Sequence, residues 1–384
     1  MRKNSVKIMI FFLEIVNIGP FVIKTTYMKT VHIVGNRPQF IKLSLLYRAW
    51  ERKGAGLPLI IHTGQHFSDN MSAIFFQEFG IPAPDYQLNI NSQPHAEMIG
   101  RMLIALDPLI ADEKPDGIIV YGDTNTTLAG ALAAKKRNIP LAHVESGIRT
   151  GREDMPEESN RYLTDRLSDL NFACTYRGME NLLKEGYSPG KIYNTGDIML
   201  DAALLFKDRA REQSSLLRGL ALEGKPFILA TIHRAEHLDN PEALGEILKA
   251  LNILHRSLPV VFPVHPRTKQ VIDGYRIPLQ VFTVPPVGYL DMIALTQASQ
   301  HVITDSGGLA REAFFFHKPS IVVMRNPFWP EIFEHGPCLQ ASAKDTDILE
   351  KFQELGGKGL PFNTAVFGDG AAAEKISDIL LASW

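Results

Sequence analysis

The sequence predicts an α/β protein built from two doubly wound domains with a cleft between them. Three observations carry this. Short apolar runs alternate with longer amphipathic stretches from Thr30 onward, the alternation restarts once near residue 200, and ionisable residues stand at the C-terminal ends of the apolar runs. Such alternation is the pattern of βα units on a parallel sheet. A chain of 384 residues is long enough for two domains that each bury a core.

The first residues run from a basic start into an apolar stretch, as a secretion signal would. Glu14, Asn17 and Pro20 interrupt that stretch, and no small-x-small cleavage site follows. It also falls short of the roughly 18 uninterrupted apolar residues of a membrane span. Residues 1–27 are therefore read as an N-terminal extension, with an upstream start codon as one source and a signal or anchor as the alternative. Met28 opens "MKTVHIVG", a buried first strand. "PLIIHTG", "GIIVYGD", "PLAHVES" and "LNFAC" follow as strands, separated by helical stretches such as "QFIKLSLLYRAW", "TLAGALAAKKRN" and "ESNRYLTDRLSD" with apolar residues at helical spacing. After "IYNTGDIMLDAALLF" the pattern begins again with "FILATIH", "LPVVFPVH", "LQVFTVPP", "HVITDS" and "SIVVMRN". The boundary falls between Gly196 and Asp208, which divides the chain into a first domain, 28–198, and a second, 199–365. An amphipathic helix closes it at 366–384.

The 40 Lys+Arg residues nearly balance the 42 Asp+Glu, so no nucleic-acid surface is expected. Cys174 and Cys338 are distant and in no CxxC spacing, which fits buried thiols in a reducing compartment.

In open α/β sheets ligands bind beyond the carboxyl ends of the strands. Arg37, Gln65, His66, Asp123 and Glu145 stand there in the first half, and His233, Arg234, His265, Asp305, Ser306 and Arg325 in the second. Singly, each carboxylate is as readily a helix cap; together they describe a site. "ITDSGGLAREA" places Ser306, Gly307 and Gly308 between a strand and a helix, where free backbone N–H groups form an anion seat. A tight turn capped by Asp305 or Ser306 is the plainer reading. Arg37 and Lys42 flank the start of the first helix, where a guanidinium can hold phosphate bidentately. Glu312, six residues beyond Ser306, reaches a ribose if a diphosphate sits at the helix start; otherwise it is a surface Glu. Neither GxGxxG nor GxxxxGK[ST] is present, which disfavours hydride transfer and P-loop chemistry. The combination describes a nucleotide diphosphate held between two domains.

The motifs "GNRPQFIK", "HTGQHFSDNMS", "YGDTNTTLAGALAA", "HVESGIRTG", "MPEESNR", "TIHRAEH", "PVHPRT" and "ITDSGGLAREA", in this order, resemble the non-hydrolysing UDP-N-acetylglucosamine 2-epimerases over about Lys29 to Arg325. The resemblance implies the GT-B architecture, with a C-terminal helix returning to the first domain. It also implies a cytoplasmic homodimer without metal or cofactor, outside membranes. The implied reaction removes the C2 proton while UDP leaves C1, giving 2-acetamidoglucal, and re-adds UDP after protonation on the other face, turning UDP-GlcNAc into UDP-ManNAc for surface polysaccharide. By motif, the family's functional residues fall on Asp123, Glu145, Glu157 and His233. Asp123 and Glu145 are the expected acid/base pair, Glu157 their partner, and His233 a group that neutralises the leaving diphosphate. Arg37, Lys42, Ser306, Gly307 and Gly308 would hold phosphates and Glu312 the ribose, with Arg161, His265 and Arg325 among the substrate contacts. Gln65, His66, Arg234 and Glu236 match the residues that bind UDP-GlcNAc as an activator.

Within "HVESGIRTGREDMPEESNR", Glu153 and Asp154 read as loop charges, and Arg161 lies one turn past Glu157, able to pair with it or face the ligand. The chain departs from the family pattern at Asn36, Gln39, Ala310 and Arg311, and in "RNPFWPEIFEHG", which lacks a usual Thr-Glu pair. That segment lies on the sugar side of the cleft in the family, so a related UDP-sugar such as a diacetamido-uronic acid is the rival substrate. A hydrolysing epimerase, a GT-B glycosyltransferase and a nucleotide-sugar-binding protein without turnover follow as further alternatives.

Overall fold

A computed structural model describes residues 28–65, 76, 78–152, 154–357 and 361–384. The N-terminal extension 1–27, His66 and Glu153 lie outside the described residues.

Two parallel sheets organise the chain. The first has the order β3-β2-β1-β4-β5-β6-β7: β1 (Thr30–Val34), β2 (Leu59–His62), β3 (Tyr86–Gln87), β4 (Gly117–Tyr121), β5 (Leu141–Ser146), β6 (Leu170–Ala173) and β7 (Ile192–Asn194). The second has the order β10-β9-β8-β11-β12-β13: β8 (Ile228–Thr231), β9 (Val260–Pro263), β10 (Phe282–Val284), β11 (His301–Thr304), β12 (Ser320–Val323) and β13 (Cys338–Ala341). Strand order reverses between β1 and β4 in one sheet and between β8 and β11 in the other. These two switch points are where a doubly wound sheet opens a ligand crevice. The architecture is GT-B, two Rossmann-like domains facing each other.

Among the described residues, helices of two turns or more are α1 (Arg37–Lys53), α2 (His95–Glu113), α3 (Asn125–Lys136), α4 (Pro156–Leu167), α5 (Tyr176–Lys184), α6 (Ile198–Gln213), α7 (Pro241–His255), α8 (Pro266–Tyr275), α9 (Tyr289–Ala298), α10 (Gly307–Phe315), α11 (Asp345–Gly357) and α12 (Ala372–Ser383). Helix α1 shows why they start and stop where they do. Asn36 Oδ1 accepts from the Gln39 N–H, Pro38 occupies the first turn, and Gly54 ends the helix in the left-handed region at φ 60°. Phe40, Ile41, Leu43, Leu46 and Trp50 are buried along it, each contributing about 2 kcal/mol of transfer energy.

The C-terminal helix α12 packs on α1 of the first half and on α6, the helix at the boundary between the halves. Asp201 on α6 accepts from the N–H groups of Ala372 (3.1 Å) and Ala373 (2.8 Å) and so caps α12, while Lys53 pairs with Asp378 at 2.6 Å. The two halves also meet through Phe79, Phe206 and Tyr289, whose rings lie 5.6–6.0 Å apart. Cys174 and Cys338 are buried free thiols.

Strands β3, β7 and β13 do not stand out in the sequence. All three are sheet edges, short and only half enclosed, so they carry little of the continuous apolar signal of a central parallel strand.

Candidate active site

The two switch points face a common cleft of about 450 Å³. From the first half it receives Arg37, Lys42, Asp123 and Glu145; from the second, His233, Arg234, His265, the Ser306–Gly308 turn and Glu312.

Glu145 owes its position to a defect in β5. The register of β5 against β6 shifts between Val144 and Ser146, so Glu145 is the bulged residue, and its φ is +77°. A bulge re-aims the side chain it carries. Holding a non-glycine residue there costs about 1–3 kcal/mol, and the site returns energy of the same order through charge-assisted contacts. Lys42 Nζ lies 2.8 Å and Arg311 Nη1 3.0 Å from Glu145 Oε2. Burial alone would raise its pKa, yet Lys42 and Arg311 together hold the carboxyl at about 2. Behind it, Asp197 takes the same Arg311 nitrogen at 2.8 Å; burial pushes its carboxyl upward despite that guanidinium. Glu145, Cys174 and Asp197 present donor atoms within 4.8 Å of one another, a spacing that suits a metal. Lys42 and Arg311 already supply the positive charge there.

Asp123 follows Gly122, whose φ of 64° turns the chain at the end of β4. Arg161 Nη2 holds the Asp123 carboxylate at 2.6 Å, and Asn160 Nδ2 donates to the Asp123 carbonyl at 2.9 Å. Beneath this turn the His143 ring lies 2.6 Å from the Gly122 carbonyl through Nε2 and 2.6 Å from Asp165 Oδ1 through Nδ1. These two contacts hold the ring on both sides and fix the turn from below.

Arg161 does not pair with Glu157. Its buried guanidinium joins Asp123 to Glu158, at 2.5 Å, and Glu158 in turn accepts from the N–H groups of Thr150 and Gly151 and from the Thr150 hydroxyl. On a helix both i+3 and i+4 partners are in reach, and burial of Glu158 decided between them. Glu157 is half-buried at the first turn of α4, and its charge acts on Arg234.

The opposite wall is built for an anion. Ser306 caps α10 with its Oγ, and the N–H groups of Gly307 and Gly308 open the helix ahead of any intrahelical acceptor. A Cβ at Gly307 would stand 2.8 Å from the Phe328 ring, so glycine is needed for the close approach. His233 Nδ1 lies 3.1 Å from Asp305 Oδ1, which leaves Nε2 as the ring nitrogen available to a ligand. Asp305 Oδ2 also accepts from the N–H groups of His233 and Arg234, both at 2.8 Å. These donors overcome burial and hold the Asp305 carboxyl below its ordinary range.

The departing segment supplies two rings. Phe328 lies between the guanidinium groups of Arg161 and Arg234, 5.0 and 4.9 Å from its centre, and Trp329 lies 4.2 Å under Arg311. Arg311, Asp197, Glu158, Phe328 and Trp329 were not legible as site residues from the sequence; only the departures at Arg311 and in "RNPFWPE" hinted at them. Gln65 is spent as a cap, its Oε1 accepting from the Thr126 N–H at 2.9 Å. Glu236 pairs with Arg152 at 3.3 Å, and Arg325 is exposed with its charge acting on Asp154, apart from the phosphate seat.

The family profile described as UDP-N-acetylglucosamine 2-epimerase matches residues 50–381. The chain belongs to this family. It is 45% identical over 356 residues, 92% of this chain and 99% of the relative, to the UDP-2,3-diacetamido-2,3-dideoxy-D-glucuronate 2-epimerase of Pseudomonas aeruginosa. The UDP-N-acetylglucosamine 2-epimerase of Methanocaldococcus jannaschii is 37% identical over 366 residues, 92% of this chain and 99% of the relative. The crystal structure of that organism's UDP-GlcNAc 2-epimerase in complex with UDP-GlcNAc and UDP superposes with a TM-score of 0.85 at 37% identity, covering 93% of this chain and 100% of that one. The Neisseria meningitidis UDP-GlcNAc 2-epimerase bound to UDP-GlcNAc gives 0.84 at 28% identity, with 93% and 100% covered. Among the described residues of this epimerase-family chain, no helix is long and apolar enough to cross a membrane.

Glu312 makes a pH-dependent contribution to stability. It is buried, and burial raises its pKa from 4.5 to about 7 although Arg311 and Arg37 oppose the shift. A group whose folded pKa is raised stabilises fully below the unfolded value, and that contribution is lost as pH climbs through 7. The loss amounts to at most about 3 kcal/mol. Urea titrations at pH 5 and pH 8 are expected to show a smaller loss of stability for Glu312→Gln than for the wild type; an equal loss would place the titration elsewhere.

Proposed function

We propose that the chain is a 2-epimerase of a UDP-2-acetamido sugar, without net hydrolysis. The observation that carries this is a pair of carboxylates, Asp123 and Glu145, facing across one cleft a helix start with open N–H groups and an oriented histidine. The C2 proton of such a sugar is not adjacent to a carbonyl, so elimination replaces enolisation. Glu145, held ionised, accepts the C2 proton. The C–H electron pair forms the C1=C2 bond, and the C1–O bond breaks with its electrons leaving on UDP. The Gly307 and Gly308 N–H groups, His233, Arg37 and Lys42 stabilise the developing diphosphate charge. Protonation of the 2-acetamidoglucal at C2 from the opposite face and return of UDP to C1 complete the inversion. Asp123 is the second member of the acid/base pair and Glu157 their modulator. Glu312 is the ribose contact.

UDP-N-acetylglucosamine is the first substrate to test. The 45% identity to the diacetamido-glucuronate enzyme favours the uronate as a second. The same reading places the enzyme in the cytoplasm as a homodimer, for which exposed Ile104, Tyr162 and Leu163 on α2 and α4 offer apolar surface. It also assigns Gln65, His66, Arg234 and Glu236 to an activating UDP-GlcNAc.

Incubation of the protein with each UDP-sugar in D2O, followed by proton NMR, is expected to show deuterium at C2 together with the manno-configured product. Free sugar with UDP would indicate hydrolysis, and no exchange with either sugar would sink the reading.

A further inference from the structure

Arg311 has no part in the reaction as written, yet it is a buried charged group that joins the two walls of the site. It is 5% exposed, stacked 4.2 Å from the centre of the Trp329 ring, and its Nη1 lies 2.8 Å from Asp197 and 3.0 Å from Glu145. It is carried by α10, the helix whose start is the anion seat, while Glu145 and Asp197 stand 166 and 114 positions earlier on the first half. We propose that Arg311 is a positioning residue: anchored by Asp197 and Trp329, it reaches across the cleft to hold Glu145 as an anion at the end of the bulged β5, and so fixes that carboxylate as the acceptor of the C2 proton. The inference rests on the epimerase reading and goes beyond it, because it names what sets the direction of proton transfer.

The surroundings leave Arg311 a large share of that task. The titratable groups facing Glu145 are Lys42 from α1, Arg311 from α10, Asp197 from the start of α6 and Cys174 from the end of β6. Burial and the neighbouring carboxylates push the Cys174 thiol well up, so it stays neutral. Two cations therefore balance two carboxylates. Removing Arg311 leaves Glu145 with Lys42 alone and exposes it to the charge of Asp197, and both changes favour its protonated form. A base that protonates more readily is lost at higher pH.

The test is the pH dependence of C2 deuterium exchange, with UDP-N-acetylglucosamine and the diacetamido-glucuronate sugar as the two probes, from pH 5 to pH 8. Arg311→Gln removes the guanidinium and leaves Glu145 facing the Asp197 charge, Arg311→Gln/Asp197→Asn removes both charges so that no buried carboxylate is stranded, and Arg311→Lys is the conservative variant. The ratio of kcat at pH 8 to kcat at pH 5 is expected to rise about tenfold or more over the wild-type ratio in Arg311→Gln and by a smaller factor in the double variant, where Lys42 still balances Glu145, with KM changed less than about threefold. Arg311→Lys, which keeps a cation, is expected to restore most of the wild-type profile. A merely structural role would lower the rate evenly at every pH. A wild type that exchanges deuterium while neither Arg311→Gln nor the double variant moves the ratio overturns the role of Arg311 alone. A wild type without exchange overturns the epimerase reading, and this inference with it.

Discussion

Asp123→Asn is expected to bind UDP as tightly as the wild type and to lose turnover by about 10²–10⁴-fold, the span that a positioned acid or base supplies. The substitution keeps the shape of the side chain at the Gly122 turn, and Asn160 still anchors the backbone carbonyl of residue 123. Arg161 loses one carboxylate partner but retains Glu158 at 2.5 Å, so the turn keeps its support. On the other wall, Ser306, Gly307 and His233 are bonded to none of these groups. Calorimetric titration with UDP and NMR turnover of the UDP-sugar separate the two effects. Normal turnover in this variant would remove Asp123 from the acid/base pair; lost UDP binding would show that the turn shapes the phosphate wall as well.

Gly147→Ala is expected to be the most damaging single-methyl change near the site. Gly147 follows the bulge of β5 at φ 78°, and a Cβ there would lie 2.2 Å from the Gly178 carbonyl oxygen at the start of α5. That neighbour is backbone and cannot rotate away, so β5 or α5 has to shift. A loss of about 3 kcal/mol or more is expected, lowering Tm by roughly 5–10 °C. Gly151→Ala is the control: its φ of 68° is similar but nothing lies within 4 Å of the added carbon. It should cost only about 1–2 kcal/mol of backbone strain. Equal melting temperatures for the two variants would mean that the close approach to α5 is soft. Activity should fall with stability in Gly147→Ala, because Glu145 stands two residues away on the same distorted strand.

The central strands, their order of appearance and the placement of ionisable residues at their carboxyl ends were legible in the sequence. Each depends on local signals: a continuous apolar run, a polar residue after it, and a glycine or cap before the next helix. Arg37, Asp123, His233 and the Ser306–Gly308 turn stand where that pattern put them, around the cleft. Edge strands β3 and β7, two and three residues long, are too short to carry an apolar run, and exposed Gln340 interrupts β13.

The sequence by itself determined that Arg37, Asp123, Glu145, His233 and Ser306 stand at the carboxyl ends of strands and so border the cleft, because a parallel βα unit turns there. Only the tertiary structure decided how those residues are held. The bulge that turns Glu145 inward is a mismatch between β5 and β6 and exists only when they pair. The choice of Glu158 over Glu157 for Arg161 follows from which glutamate α4 buries. The sharing of Arg311 between Glu145 and Asp197 joins positions more than a hundred residues apart, and the Trp329 ring beneath it comes from a later segment. Such contacts have no period and no local pattern. They arise when packing removes water from charges that must then find partners, and those partners set the state of the buried carboxylates.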